Sequence, residues 1–260
     1  MLIGKRVGET MTFNVVTLFP SLFEVWKNSG VCGRAVKNGL VKVKCWNPRE
    51  FSNESSGQID DRPYGGGPGM VMMAEPLRAT VNKIDEAAEK PARVLFFSPV
   101  GKVLSQDLVE DIAHNLEEQQ YTLICGRYEG VDQRFIDTYV DEIVSIGDFI
   151  LPGGECVALA LMEAVIRRIP GTLGNEESSK HDSFMDGVLQ FPHYTRPKVF
   201  ESNAVPDVLL SGHHAKIKNW RRQKAIELTC KYRPDLVRLA IRKNLLSKSE
   251  ILDFVDELND

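Results

Sequence analysis

Four groups of carboxylates in this sequence have the chemistry of a general base. A carboxylate accepts a proton when it lies within hydrogen-bond reach of that proton and its pKa suits the reaction. Most surface carboxylates only solvate a loop or cap a helix, and Asp182 followed by Ser183 has the pattern of a plain helix N-cap. Residue type alone therefore leaves the choice open. The candidates are Asp60 with Asp61, Glu129 with Asp132, Asp148, and Asp182 with Asp186.

Two adjacent arginines, Arg167 and Arg168, follow an apolar segment. An arginine can bind a phosphate group or a carbonyl-bearing base through its planar guanidinium fork. At the end of a helix, an arginine can equally well do no more than stabilise the helix dipole. The sequence leaves both interpretations open.

Basic and aromatic residues alternate in two short segments of the C-terminal third. Residues 193–197 read HYTRP, and residues 211–222 read SGHHAKIKNWRR. This mixture suits RNA, because cations pair with phosphates and aromatic rings stack on splayed bases. The alternative is a solvated helix face with Trp220 in the core. A metal site at His213 and His214 is not expected, since no third and fourth ligand accompanies them.

Three apolar segments that end in polar loops would bring candidate residues together. Segments 92–101, 121–134 and 143–168 each begin as a strand and continue into a loop with Ser, Gly or Pro. In open α/β sheets, ligands bind outside the carboxyl ends of such strands. The third segment passes through Pro-Gly-Gly at 152–154 into a helix, predicted at 155–168, that is apolar nearly all round and should be buried. Glycines permit a ligand to approach the backbone closely, although a tight turn of an ordinary α/β domain has the same pattern.

The order of the apolar segments predicts the fold class. Strands alternate with helices up to residue 168, which favours an α/β fold with a mostly parallel sheet covered on both faces. Residues 52–69 have the composition of a loop. Its glycines are not followed by the Lys-Ser/Thr of a phosphate-binding P-loop, and no GxGxxG follows a strand. The predicted strands are 13–19, 40–46, 92–98, 121–125 and 143–146, and the predicted helices are 20–28, 76–89, 105–118 and 155–168.

Composition narrows the functional class. The chain has 260 residues, 43% of them hydrophobic, enough for one sizeable core and a small second domain. A net charge of −4 argues against a surface coated with nucleic acid, although a local basic patch is compatible with it. Five cysteines without CxxC spacing predict a reducing, cytoplasmic setting, with Cys125 and Cys156 as small core residues. No segment approaches the length of a membrane span.

Longer motifs resemble one family from about residue 13 to about residue 258. They are TLFP at 17–20, DDRPYGGGPGMVM at 60–72, SPVG at 98–101, CGRYEGVDQR at 125–134, IGDFILPGGE at 146–155, RRIPGTLGN at 167–175, HDSFMDG at 181–187, FPHYTRP at 191–197 and LLSGHHAKIKNWR at 209–221. In this order the motifs resemble the TrmD family, the bacterial tRNA (guanine-N1)-methyltransferases of the SPOUT class. Agreement over so many motifs is more specific than any single glycine pattern.

The resemblance implies a topology and a domain division. It implies a SPOUT-type parallel sheet with a C-terminal deep trefoil knot, followed by a small helical C-terminal domain. Knots are rare exceptions to the ordinary rules of topology, so sequence patterns alone would not suggest one. Residues 1–172 would form the knotted S-adenosylmethionine-binding domain, 173–190 a flexible linker, and 191–260 the helical tRNA-binding domain.

The resemblance also implies roles for individual residues. Asp182 would be the general base and Arg167 would orient the substrate. The family often has Tyr where Phe149 stands, so a contact through a Tyr hydroxyl would be lost here. The S-adenosylmethionine contacts would be Phe97, Ser98, Pro99, Gly126, Tyr128, Glu129, Ile146, Gly147, Phe149, Leu151, Gly153 and Gly154. The tRNA contacts would be His193, Tyr194, Arg196, Ser211 and His213.

The implied reaction transfers a methyl group from S-adenosylmethionine to N1 of the guanine immediately 3′ of the tRNA anticodon, which maintains the reading frame. The enzyme would be a cytoplasmic homodimer whose active sites are shared between subunits, with neither a membrane nor DNA as a partner. Mg2+ is compatible with Glu129 or Asp182 as a ligand, but the sequence shows no clean ligand set. Two alternatives are an RNA-binding module with an inactive cofactor knot, and a SPOUT methyltransferase for another RNA or for a ribose 2′-hydroxyl.

Overall fold

The computed structural model describes residues 10–116, 118–174, 179 and 182–254. The chain divides into two compact units, Met1–Glu176 and Glu177–Asp260. The segment predicted to be a linker, 173–190, spans this division, and its residues 175–178, 180 and 181 lie outside the described residues. Within the described part of the chain, no helix combines the length and apolar character that a membrane crossing requires.

The first unit is built on a five-stranded parallel sheet with the strand order β2-β1-β6-β5-β7. Its strands are β1 (Met11–Val16), β2 (Val41–Trp46), β5 (Ala92–Val103), β6 (Gln120–Ile124) and β7 (Glu142–Ser145), and a separate hairpin pairs β3 (Asp60–Asp61) with β4 (Val71–Met72). Phe13 of β1 pairs with Val43 on one side and with Tyr121 on the other. The prediction of a parallel α/β sheet is therefore confirmed, and its central strands are apolar because both faces are covered.

Among the described residues of this unit, six α-helices and one 3₁₀ helix surround the sheet. They are α1 (Pro20–Lys27), α2 (Gly30–Lys37), the 3₁₀ helix Pro48–Phe51, α3 (Ala74–Glu86), α4 (Gln106–Asn115), α5 (Gln133–Tyr139) and α6 (Glu155–Ile166). On one face, Phe23, Ile112 and Leu161 of α1, α4 and α6 join one buried cluster. On the other face, Leu77 of α3 and Phe135 of α5 belong to a second cluster.

Strand β5 is longer than the predicted segment 92–98 and leaves its neighbour part-way along. Phe97 and Lys102 both pair with Val144 of β7, so the intervening residues 98–101 bulge away from the sheet. At Gly101 a Cβ would lie 2.5 Å from the carbonyl carbon of Ile143, which only glycine avoids. The bulge takes Ser98 and Pro99 out of the regular pairing between β5 and β7.

Two helices of the first unit were not predicted, and one cysteine was placed wrongly. Helix α2 begins at Gly30 with φ +62°, and its two glycines gave no helical pattern. Helix α5 is only seven residues long and is capped by the Asp132 side chain, which accepts from Arg134 N. Cys156 is exposed, not in the core, because it shares the outer face of α6 with Glu163.

The second unit has its own small core. Its elements are the hairpin β8 (Val199–Phe200) with β9 (Asn203–Ala204), α7 (Asp207–Leu210), α8 (His214–Tyr232), α9 (Pro234–Arg242) and the 3₁₀ helix Lys248–Phe254. Ile226 and Cys230 of α8 pack with Val237 and Ala240 of α9. Leu189 N donates to Thr229 Oγ1 at 2.9 Å, which ties the entry into this unit to α8.

Candidate active site

A cavity of about 350 Å³ lies at the carboxyl ends of β5, β6 and β7. Parallel strands deliver their following loops to the same edge of a sheet, so three loops converge here. All twelve residues expected to contact the cofactor line this cavity: Phe97, Ser98, Pro99, Gly126, Tyr128, Glu129, Ile146, Gly147, Phe149, Leu151, Gly153 and Gly154. Their role in binding stays a prediction, but their convergence is a feature of the fold.

Much of the cavity wall is main chain. Gly154 N donates to Gly126 O at 3.1 Å, which joins the loop after β6 to the start of α6. A Cβ on Gly154 would lie 2.9 Å from Cys125 Cα and 3.2 Å from the Phe97 ring. Because the first of these contacts is with backbone, a larger residue would push the two loops apart. The glycine corner seen in the sequence is therefore a close-packing requirement between the loop and the helix.

A buried ion pair supports this corner from behind. Glu155, the first residue of α6, is 1% exposed, and its Oε2 lies 2.9 Å from Arg127 Nη2. Arg127 Nε lies 3.3 Å from Glu155 Oε1, and Arg127 Nη1 donates to Pro152 O at 3.4 Å. A Cβ on Gly153 would meet Arg127 Nε at 2.2 Å, so the arginine side chain crosses directly over this glycine.

The same carboxylate reaches the end of the first strand. Thr17 Oγ1 donates to Glu155 Oε1 at 3.0 Å and accepts from Phe19 N at 3.0 Å. The Arg127 guanidinium stands 4.4 Å from the centroid of the Phe19 ring, within the range of a cation–π interaction. Three of the sequence motifs therefore meet at one buried glutamate. No role was predicted for Glu155 from the sequence, although a carboxylate at the start of a mostly apolar helix was a signal that could have identified it.

The residues at the end of the glycine-rich segment, which lacks the signature of a P-loop, are hydrogen-bonded to the loop after β6. Glu129 N donates to Met70 O, Met72 N to Gly130 O, and Asp132 N to Met72 O, each at 2.9 Å. These bonds fix a loop in which Tyr128 adopts φ +60°, a conformation uncommon for residues other than glycine.

The Tyr128 hydroxyl lies at one end of this loop, 3.4 Å from Arg49 Nη2. Burial raises the pKa of Tyr128, and the neighbouring Asp60 raises it further while Arg49 lowers it. A phenol of ordinary pKa, about 10, is already protonated at neutral pH, so this shift does not change its protonation there.

Arg167, one of the two predicted catalytic residues, is not among the residues that line this cavity. Arg167 is the C-cap residue of α6 and is exposed. Gly154 lines the cavity at the other end of that helix, whose 12 residues span about 18 Å. Asp182 belongs to the second unit, is half-buried, and its carbonyl accepts from Met185 N at 3.3 Å.

The residues predicted to contact tRNA all lie in the second unit. His193, Tyr194 and Arg196 are exposed in the loop before β8. Ser211 ends α7, where its hydroxyl donates to Val208 O at 2.7 Å and accepts from His213 N at 3.2 Å. The first three residues therefore present side chains to solvent, whereas Ser211 also shapes the turn that leads into α8.

A metal site finds no support in the part of the chain that the structure describes. No three His, Cys, Asp or Glu side chains cluster there closely enough to hold an ion. Mg2+ is often held by one or two carboxylates together with oxygens of the substrate, so its use here stays a prediction, and no chemical step below uses it.

Comparison with known proteins agrees with the geometry. The family described as tRNA (Guanine-1)-methyltransferase TrmD matches residues 11–239. A tRNA (guanine-N(1)-)-methyltransferase of Polynucleobacter asymbioticus is 50% identical over 244 residues, covering 92% of this chain and 97% of that protein. Proteins of the same name from Ralstonia nicotianae (48% over 241 residues; 92% and 91% covered) and Haemophilus influenzae (50% over 227 residues; 87% and 91% covered) are also similar. With its cavity at the strand ends and this match over most of its length, the chain belongs to the TrmD family.

Proposed function

We propose that this chain is a tRNA (guanine-N1)-methyltransferase that uses S-adenosylmethionine and acts on the guanine immediately 3′ of the anticodon. The observation that carries the proposal is the cavity at the ends of β5, β6 and β7, in a chain of the TrmD family. Its volume of about 350 Å³ lies within the range of small-molecule sites. Its wall combines apolar side chains with main chain, which suits a ligand that carries both an adenine ring and polar groups.

Bound S-adenosylmethionine would supply an electrophilic methyl group on a sulfonium sulfur. The chain's own residues would then hold both reactants and move one proton. Guanine N1 carries a proton near neutral pH, so its electron pair becomes available only when a base removes that proton. Asp182 would accept it, and Arg167 would stabilise the negative charge that develops on guanine O6. The N1–methyl bond then forms as the sulfur–methyl bond breaks, and positioning supplies much of the rate.

The placement of Arg167 supports a site shared between two subunits. Arg167 and the cavity lie at opposite ends of α6, about 18 Å apart along the helix. One subunit therefore does not bring its own Arg167 to its own cavity through that helix. In a homodimer, Arg167 from one subunit would serve the cavity of the other.

A trefoil knot would give this cavity its stiffness. The supporting observations are the bulge of β5 around β7 and the hydrogen bond from Gly154 N to Gly126 O. Both join segments that are distant in sequence at the same corner. Residues 1–172 would form this knotted domain, 173–190 a linker that closes over the substrate and brings Asp182, and 191–260 the tRNA-binding domain.

The test is methyl transfer from labelled S-adenosylmethionine to an unmodified tRNA transcript. We expect Asp182→Asn to lose roughly 10²- to 10⁴-fold in rate while cofactor binding is kept. Asp186→Asn is the matched control. Asp186 is an exposed carboxylate four residues away, and its Oδ2 lies 3.8 Å from Arg222 Nη1, which is long for an ion pair. Near-full activity in Asp182→Asn would exclude it as the base. A transcript with adenine in place of the target guanine separates base methylation from ribose methylation, because only the latter would persist.

Mixed dimers test the sharing of the active site. A Gly154→Leu chain should have a blocked cavity, and an Arg167→Ala chain should lack the guanine-orienting residue. Each variant alone should be inactive. Co-refolded heterodimers should regain activity, because one of their two sites combines an intact cavity with an intact Arg167. Absence of any recovery in verified heterodimers would place Arg167 in the site of its own subunit.

A further inference from the structure

A second cavity, of about 410 Å³, lies wholly within the second unit between the loop before β8 and helix α8. Phe191, Tyr194 and Trp220 contribute aromatic rings to its wall, and Leu210 adds an apolar side chain. Large apolar side chains on a surface usually mark a binding region when they stand together. Tyr194 is 50% exposed and Leu210 is 49% exposed. The core of the second unit is formed by other residues, so these rings are not needed to fill it.

The rings are arranged with open faces. The Tyr194 and Trp220 centroids are 6.2 Å apart and their planes are inclined at 58°. The Phe191 and His193 centroids are 4.8 Å apart and inclined at 46°. Because the pairs are tilted rather than stacked, the two rings of each pair do not cover one another face to face. Tyr194 is half exposed and Trp220 is partly exposed, so a flat ring can reach Tyr194 from solvent.

The charge around the cavity favours an anionic partner. Arg196, Lys198 and Arg221 line it, and none of the described residues in its wall is acidic. The Arg221 guanidinium stands 4.8 Å from the centroid of Phe191, which orients the cation toward the aromatic wall. Aromatic faces beside fixed cations form the combination that binds single-stranded nucleic acid, because bases stack and phosphates pair. A peptide would need hydrogen-bonding edges or an apolar helix face instead, and the cationic rim gives it no advantage.

We propose that this cavity receives one unstacked nucleobase of the tRNA, other than the guanine that is methylated. Tyr194 and Trp220 would form the stacking surface, and Arg196 and Lys198 would bind the flanking phosphates. The proposal rests on the proposed function, since it takes tRNA as the substrate. It assigns Trp220 to RNA contact rather than to the core, and it gives the second unit a way to read RNA shape independently of the first cavity.

The test compares Tyr194→Leu with the matched variant Tyr194→Phe, using dissociation constants for an unmodified tRNA transcript. Leucine keeps apolar bulk but has no ring face, so Tyr194→Leu should weaken binding by roughly 5- to 100-fold, whereas Tyr194→Phe should stay within about 2-fold. The dependence of affinity on salt should not change in either variant, because no phosphate contact is lost. Lys198→Gln should instead reduce the salt slope by about one.

A series of transcripts, each with one abasic nucleotide in the anticodon loop, identifies the base. One abasic position should weaken binding to the wild-type protein by the same factor as Tyr194→Leu, and should cost the Tyr194→Leu protein nothing further. If every abasic penalty multiplies with the penalty of Tyr194→Leu, no base occupies the cavity and the proposal is wrong. An equal loss in Tyr194→Phe would show that the hydroxyl, not the ring, makes the contact.

Methylation of the intact transcript distinguishes a failure of the cavity proposal from a failure of the proposed function. If the wild-type protein methylates tRNA but no abasic position is coupled to Tyr194, the cavity proposal fails and the proposed function stands. If the wild-type protein neither binds nor methylates tRNA, both fail. Binding of S-adenosylmethionine should be equal in all variants, because the cofactor cavity lies in the first unit.

Discussion

Replacing the buried glutamate behind the glycine corner should weaken both the first unit and its cavity. Glu155→Gln keeps the size of the side chain and one oxygen acceptor, but removes the charge that pairs with Arg127. The Glu155 side chain is 2% exposed and that of Arg127 is 23% exposed. Arg127 also keeps its contacts with Pro152 O and the Phe19 ring. The substitution therefore isolates the electrostatic part of the network.

The expected magnitude follows from this partial burial. Breaking a fully buried ion pair by removing one partner typically costs about 3–5 kcal/mol. Because water reaches part of Arg127, we expect Glu155→Gln to lower the free energy of unfolding by about 2–3 kcal/mol. Thr17→Val removes one neutral donor to the same carboxylate and should cost about 1.5 kcal/mol. The two losses should not add, since both act on one glutamate.

The assay follows the first unit separately. Trp26 and Trp46 belong to that unit and Trp220 to the other, so fluorescence in a Trp220→Phe background reports urea unfolding of the first unit. Glu163→Gln is the matched control. Glu163 lies on the same helix and is exposed, and glutamine keeps an oxygen that can accept the 2.9 Å hydrogen bond from Trp26 Nε1, so stability should change by no more than about 0.5 kcal/mol. Calorimetric titration with S-adenosylmethionine should show weaker binding to Glu155→Gln. If Glu155→Gln is no less stable than Glu163→Gln and binds the cofactor as wild type does, the network does not support the corner.

Two further predictions concern the same region. Gly154→Ala should lower stability by about 1–3 kcal/mol and weaken cofactor binding, because its Cβ would lie 2.9 Å from Cys125 Cα; thermal melting and calorimetry would check this, and unchanged values would contradict it. The side-chain hydrogen bond from Arg134 lowers the pKa of Asp132, so the stability it contributes is present above the unfolded-state pKa of about 3.9 and is lost as pH falls through the lowered pKa. Urea unfolding of wild type and Asp132→Asn should therefore differ at pH 7 and converge in acid; a difference that does not shrink would exclude this role.

The candidate site could be predicted largely because parallel strands impose their geometry. Once segments 92–101, 121–134 and 143–168 are identified as strands followed by loops, their carboxyl ends must meet at one edge of the sheet. Twelve residues named on that basis and on the family motifs line one cavity. Apolar strands buried on both faces give long hydrophobic runs, so the strands were found to within a few residues.

The features that the sequence did not predict depend on contacts between segments that are distant in the chain. The pairing of Arg127 with Glu155 joins residues 28 positions apart, and neither has a local pattern that identifies its partner. The bulge of β5 arises because Phe97 and Lys102 share Val144, which only the neighbouring strand reveals. Helix α2 was not predicted, because its glycine content indicates a loop. In the structure these glycines allow a left-handed first residue and close packing of the helix. Cys156 was misplaced because an apolar helix still has one outer face.

The position of β1 between β2 and β6 has a consequence for synthesis of the chain. Its buried residues Phe13 and Val15 pair on one side with β2, which follows soon after, but on the other side with β6. About 100 residues separate Val16 from Gln120, and a ribosome adding roughly 5–20 residues per second needs about 5–20 s to make them. Throughout that interval one edge of an apolar strand has no partner. A nascent chain of this design is therefore most prone to aggregate before residue 124 emerges, and slow translation between β2 and β6 would prolong that exposure.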